Sequence, residues 1–146
     1  MSTSEAAVVI VVDLDDRNCL AFKEQLLSIA AKCCPGPRML FRIAIEEMEA
    51  WLLGDRTAVR RAYPKARQAV LDSYRQDSIC GTWETLADAV YPGGARALKE
   101  KGYPRIGQEK FRWAEKIAPH MEIRRNLSPS FQVFVQGIRR LCGENR

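Results

Sequence analysis

The chain has 146 residues, 47% of them hydrophobic and 28% charged. That is enough for one domain with its own core, and too ordinary for a disordered, collagen-like or disulfide-stapled chain. The net charge of +5, with a pI near 9.1, is the one unusual number and points toward a polyanionic partner.

Ala6 to Val12 (AAVVIVV) is a continuous, mostly β-branched run. It predicts a strand buried on both faces, as in a parallel sheet. Asp13-Leu14-Asp15-Asp16 ends it. Phe22, Leu26, Ile29, Ala30 and Cys33 then recur at helical spacing, and Cys34-Pro-Gly-Pro37 stops that helix. Met39 to Ile45 is a second strand-like run. Strand, helix and strand make one βαβ unit.

Beyond Ile45 the expected elements are helices. Glu46 to Leu53 reads as a short one closed by Gly54. Asp55 caps the next, where Val59, Ala62 and Tyr63 share a face. Further helices are expected over 65–74, 82–90 and 95–101, with 91–94 as a turn. Gly102 and Pro104 break the chain before a helix over 109–118, with Phe111, Ala114 and Ile117 on one side. Ser128 caps the last helix with Pro129 at its first position. Its apolar face is Phe131, Phe134, Val135, Ile138 and Leu141. The fold class is α/β in front and mostly helical behind, as one domain over 1–146. A two-stranded parallel sheet is small to stand alone.

The net charge hides a split. Residues 1–55 hold nine acids and five bases, net −4, and residues 56–146 hold nine acids and eighteen bases, net +9. No basic segment opens the chain before the first apolar run, so no signal peptide is expected. The longest apolar run falls far short of the ~18 residues a membrane helix needs. Five cysteines, an odd number without a CxxC pair, read as reduced cytoplasmic thiols. The single histidine, His120, has no nearby cysteine, so zinc is not expected.

Ligands of α/β sheets bind at the carboxyl ends of parallel strands. Asp13 and Asp15 lie where the first strand ends, on one side of an extended chain, with Leu14 on the other. Glu46, Glu47 and Glu49 follow the second. Carboxylates gathered there repel one another, and a hard divalent cation relieves the repulsion. The plainer alternative is that these acids cap helices. Lys110 is a candidate to neutralise phosphate charge. Trp51, Trp83 and Trp113 read as core residues more than as base-stacking platforms. The N-terminus of the last helix is a further place for a phosphate.

Several blocks are similar to those of known proteins. VVIVVDLDD followed by a helix resembles the DxD strand of Toprim domains, the metal-binding folds of topoisomerases, bacterial primases and related nucleases. IAIEEMEAWLLGD is similar to the strand-to-helix segment of Toprim-like defence proteins. With SICGTWETLADAVYPGG, EKFRWAEKIAPHM and NLSPSF, the chain resembles the C-terminal portion of the bacterial family called domain of unknown function 4276. The resemblance implies a Toprim-like βαβ core. Asp13 and Asp15 would be metal carboxylates, Glu49 a further acid, and Glu46 and Asp16 reserves, with Mg²⁺ or Mn²⁺ as the ion. His120, in a matching block, becomes a candidate general base or phosphate contact. Toprim domains also have an earlier strand followed by a glutamate. This sequence starts a few residues before its DxD strand, so a domain lacking that segment is expected.

Two functions of different class follow. One is a Mg²⁺-dependent, nuclease-like protein of a prophage or antiphage system, acting on nucleic acid. The other is a non-catalytic interaction module that dimerises or pairs with an ATPase through an open sheet edge. A metal-free binder using only its basic surface is a third.

Overall fold

In a computed structural model, which describes residues 7–33 and 38–143, two strands and eight α-helices follow in order. Strand β1 is Ala7–Asp13, helix α1 is Cys19–Cys33 and strand β2 is Arg38–Ala44. Then come α2 (Glu49–Leu53), α3 (Arg56–Ala62), α4 (Gln68–Ser73), α5 (Thr82–Val90), α6 (Gly94–Lys99), α7 (Tyr103–Ile117) and α8 (Pro129–Leu141). A 3₁₀ turn at Ala118–His120 follows α7. The α/β front and helical rear expected from the sequence are both present. The turn at 34–37 lies outside the described residues.

The strands pair in parallel, from Ala7 opposite Arg38 to Asp13 opposite Ala44. No further strand joins them among the described residues. The expectation that β1 is buried on both faces is corrected. Val8 and Val9 are exposed, and burial rises only toward Asp13. A two-stranded sheet has too little covering structure for that; α1 and α8 both pack against β2. Of the expected apolar face of α1, Phe22 is buried and Ile29 is exposed.

The main core lies in the helical part. Leu53, Leu71, Leu86, Leu98, Trp113 and Ile117 fill it, all fully buried. A smaller cluster joins sheet to helices. There Trp51 stacks on Phe134 (centroids 5.0 Å apart) and meets Phe131 edge-on, above Ala44 and Val11. Trp51 and Trp113 are therefore core residues. Trp83 is half-buried, with the Lys99 ammonium 5.4 Å from its ring centre.

Helix α7 departs most from expectation. It begins at Tyr103, six residues before Glu109, because Pro104 falls in its first turn, where no N–H is missed. Its buried face is Ile106, Glu109, Trp113 and Ile117, while Phe111 is 69% exposed. The buried face is broken by a charge, which hides it from an apolar-periodicity reading. Glu109 is tolerated there because Arg105 (2.8 Å) and Arg112 (2.9 Å) both pair with it. Helix α4 is shorter than the expected 65–74, since Arg67 donates its N–H to the Ala89 carbonyl instead of starting a turn earlier. Thr82–Val90 and the Ser128-Pro129 start of α8 are as expected.

Candidate functional site

The strands end side by side, and the pairing runs on past them. Leu14 donates to the Ala44 carbonyl at 3.0 Å, and Asp15 to the Glu46 carbonyl at 2.8 Å. Both Asp15 (φ 52°) and Glu46 (φ 60°) adopt left-handed backbone conformations, uncommon for residues with a side chain. The two tight turns end the strand alternation. Asp13 and Asp15 therefore do not simply share a face: Leu14 is buried, Asp13 turns toward α2, and Asp15 ion-pairs with Arg17 at 2.9 Å.

Asp13 is anchored by the Met48 N–H, which donates to Oδ1 at 2.9 Å. Glu47 Oε2 accepts the Trp83 N–H at 3.3 Å. Glu49, only 5% exposed, opens α2. From across the molecule, α7 brings Lys110. Its ammonium lies 3.3 Å from Glu47 Oε1 and 3.3 Å from Glu49 Oε2. That Glu49 oxygen is buried, and the Lys110 ammonium is its partner. Burial pushes the carboxyls of Asp13, Glu47 and Glu49 above their usual range, against the pull of Lys110 on each. Asp13 is raised further by the Asp15 charge. Burial alone would lower Lys110, but Glu49 and Glu47 outweigh it and hold the ammonium above the ordinary lysine value. One cation thus serves three carboxylates.

Glu46 is employed differently. Its carboxylate accepts the backbone N–H groups of Cys80 (3.2 Å), Gly81 (2.8 Å) and Thr82 (2.9 Å), and the Thr82 hydroxyl. Helix α5 starts after Gly81, which has no side chain to cap it. Glu46 supplies the missing acceptor from 35 residues away, and these bonds outweigh burial to hold its carboxyl below the usual range. Capping, the plainer expectation for these acids, is met here, but on a distant helix. Asp16 is exposed. With Asp15, Glu46, Glu47, Trp83 and Glu84 it lines an open acidic cleft of about 270 Å³.

The N-terminus of α8 already holds an anion. Asp77 accepts the Ser128 hydroxyl at 2.7 Å and the Ser130 N–H at 2.6 Å. His120 lies apart from the acids, exposed in the 3₁₀ turn, ten residues beyond Lys110 and roughly 15 Å further along the helix direction. Its carbonyl accepts from Arg125 at 2.8 Å. Asp55 is buried as the cap of α3, and three donors, Arg125 foremost, hold its carboxyl low. Of the expected site residues, Asp13 and Glu49 both feel the Lys110 ammonium, and Asp15 acts on Asp13. Glu47 joins them. The EE dipeptide is a signal for Glu47; Lys110, expected as a neutraliser of phosphate charge, instead meets Glu47 and Glu49.

A family model matches residues 2–139, across both the strands and the helical part. The chain belongs to the family described as domain of unknown function (DUF4276). No curated protein and no solved structure matches it. Family membership therefore covers the acids of the strand ends and Lys110 together. Among the described residues, no three carboxylate, thiol or imidazole groups form a ready-made coordination shell. Cys19, Cys33, Cys80 and Cys142 are free thiols. No helix is long and apolar enough to cross a membrane.

Proposed function

We propose that the strand-end acids form a Toprim-like divalent-cation site, Mg²⁺ or Mn²⁺, that acts on phosphodiesters in a nuclease-like protein of a prophage or antiphage system. One observation carries this reading: Asp13, Glu47 and Glu49 share a single ammonium. The cluster keeps a net charge near −2 when its acids are ionised. Hard oxygen donors with that excess charge fit a divalent cation of the Mg²⁺ type. Asp13 and Glu49 would hold the ion, with Asp15 close by; Glu46, bound to α5, keeps the turn in place. A bound ion supplies Lewis acidity toward a phosphate oxygen and a water of lowered pKa. The exposed Arg124, Arg139 and Arg140 belong to the basic part and suit a nucleic-acid backbone.

The test is a calorimetric Mn²⁺ titration of metal-stripped protein. Wild type should bind and Asp13→Ala should not, and Mg²⁺ should switch on cleavage of a nucleic acid by wild type alone. Absence of binding by wild type, or equal binding by Asp13→Ala, overturns the reading.

A specific observation favours a second reading, the interaction module. Val8 and Val9 on β1 and Leu20, Leu27 and Ile29 on α1 are all exposed. Exposed large apolar side chains on two consecutive elements suit a protein partner, a second copy or an ATPase. A monomer by light scattering, with Mg²⁺-dependent cleavage, would set this reading aside.

A further inference from the structure

We propose that the outward face of α7 pairs two copies of this chain, helix against helix, antiparallel about a two-fold axis. The surface is built from α7 and the turns that flank it, so it depends on neither the cation site nor the β1 and α1 patch. Pro104, Gly107, Phe111, Ala114 and Ala118 are all exposed and recur every three or four residues, which is the seam spacing of paired helices. The stripe lies opposite the face of α7 that Glu109 and Trp113 bury. Phe111 is 69% exposed, and Tyr103 beside the stripe is 88% exposed. Gly107 has no reason for being glycine inside its own chain. It is helical, and a methyl there would have no packed neighbour within 4 Å. A glycine in the middle of a helix weakens the helix; here it leaves a notch that a ring from outside can enter.

The stripe is complementary to itself. With the axis at the level of Glu109, Gly107 of one copy faces Phe111 of the other, and Pro104 faces Ala114. Each phenyl ring fills the other copy's notch, reciprocally, as an isologous contact requires. Tyr103 then lies along the second copy's Ala114 and Ala118, a large side chain against two small ones. Charge agrees with this alignment. Lys101 and Glu115 flank the stripe on the same edge, both exposed, and neither has an ion pair within its own chain among the described residues. The two-fold sets Lys101 of each copy against Glu115 of the other, and opposite charges at such flanking positions fix partner and orientation. The apolar side expected from the sequence is thereby divided: Ile117 goes to the core, Phe111 and Ala114 to the seam.

Sedimentation equilibrium of the full chain tests this. One helix pair is a small interface, so wild type should dimerise with a Kd of about 10–100 µM. Gly107→Leu puts a better helix former where its own chain leaves room, so the thermal midpoint should hold or rise. The filled notch should nevertheless weaken the dimer about tenfold or more, and Phe111→Ser should do the same. Lys101→Glu should weaken it about threefold or more, and the exchange Lys101→Glu with Glu115→Lys should restore it. Wild type that stays monomeric up to about 1 mM overturns the inference. So does a dimer that Gly107→Leu leaves intact; if Leu27→Ser dissolves that dimer, the contact belongs to α1 and the interaction-module reading stands. A monomer whose binding of a single-stranded oligonucleotide is lost in Phe111→Ser makes the rings a base-stacking platform and overturns the inference as well.

Discussion

Glu46 Oε2 accepts the Thr82 backbone N–H at 2.9 Å, so a residue at the end of the sheet caps a helix of the core. The bond ties the acidic turn to the largest packed unit of the molecule. A turn with two left-handed acids, Asp15 and Glu46, needs such support, since that backbone costs of order 1–3 kcal/mol per residue.

Replacing Glu46 by Gln removes an ionised cap and should destabilise the protein by about 1–2 kcal/mol at neutral pH. Urea unfolding followed by circular dichroism measures it. The sign with pH is fixed by the direction of the shift. Its carboxyl is held low in the folded state, so its contribution is present above the ordinary glutamate value and lost as pH falls through the folded one. Glu46→Gln should therefore approach wild-type stability in acid.

Glu49 should behave in the opposite way. Burial raises its carboxyl, with those of Asp13 and Glu47. Groups raised by folding contribute fully below the ordinary carboxylate range, about pH 4, and lose that contribution as pH rises through their folded values. Glu49→Gln cannot ionise. A series of urea melts from pH 5 to 8 should show a smaller stability loss toward high pH in this variant than in wild type. An unchanged slope would count against a charge-frustrated cluster.

Gly54 lies against the buried Asn126, whose amide donates to the Trp51 carbonyl at 2.7 Å and whose oxygen accepts from Ser128 at 3.0 Å. A methyl at Gly54 would overlap that carboxamide, which is held at both ends. Gly54→Ala should cost about 2 kcal/mol or more by overpacking and lost hydrogen bonds. A thermal melt would reveal it, and a Tm equal to wild type would show that Asn126 moves aside freely.

The Trp51 indole donates to the Ser130 hydroxyl at 2.8 Å in a buried setting. Ser130→Ala leaves that N–H unpaired and should cost about 1–3 kcal/mol. Ser130→Thr, which keeps the hydroxyl, is the control. Asp77→Ala removes the anion at the start of α8 and should cost about 1–2 kcal/mol, read in the same melts.

The sequence by itself determined what depends on neighbours along the chain. Apolar runs placed both strands within a residue of their observed limits. Ser128 and Pro129 marked the start of α8, and Asp55 that of α3, because a cap acts across three residues. The carboxyl ends of the strands were legible as an acidic edge, since alternating charge and apolar runs show where a strand stops. Only the tertiary structure decided how those acids divide their work. Glu46 finds its partners 34 to 36 residues away and Glu47 meets Lys110 across 63. Which face α7 buries was likewise settled by packing. Trp113 needs a large cavity and Glu109 needs two arginines, and no local period encodes either requirement. Charges act through space, so their pairing becomes visible only when the chain is folded.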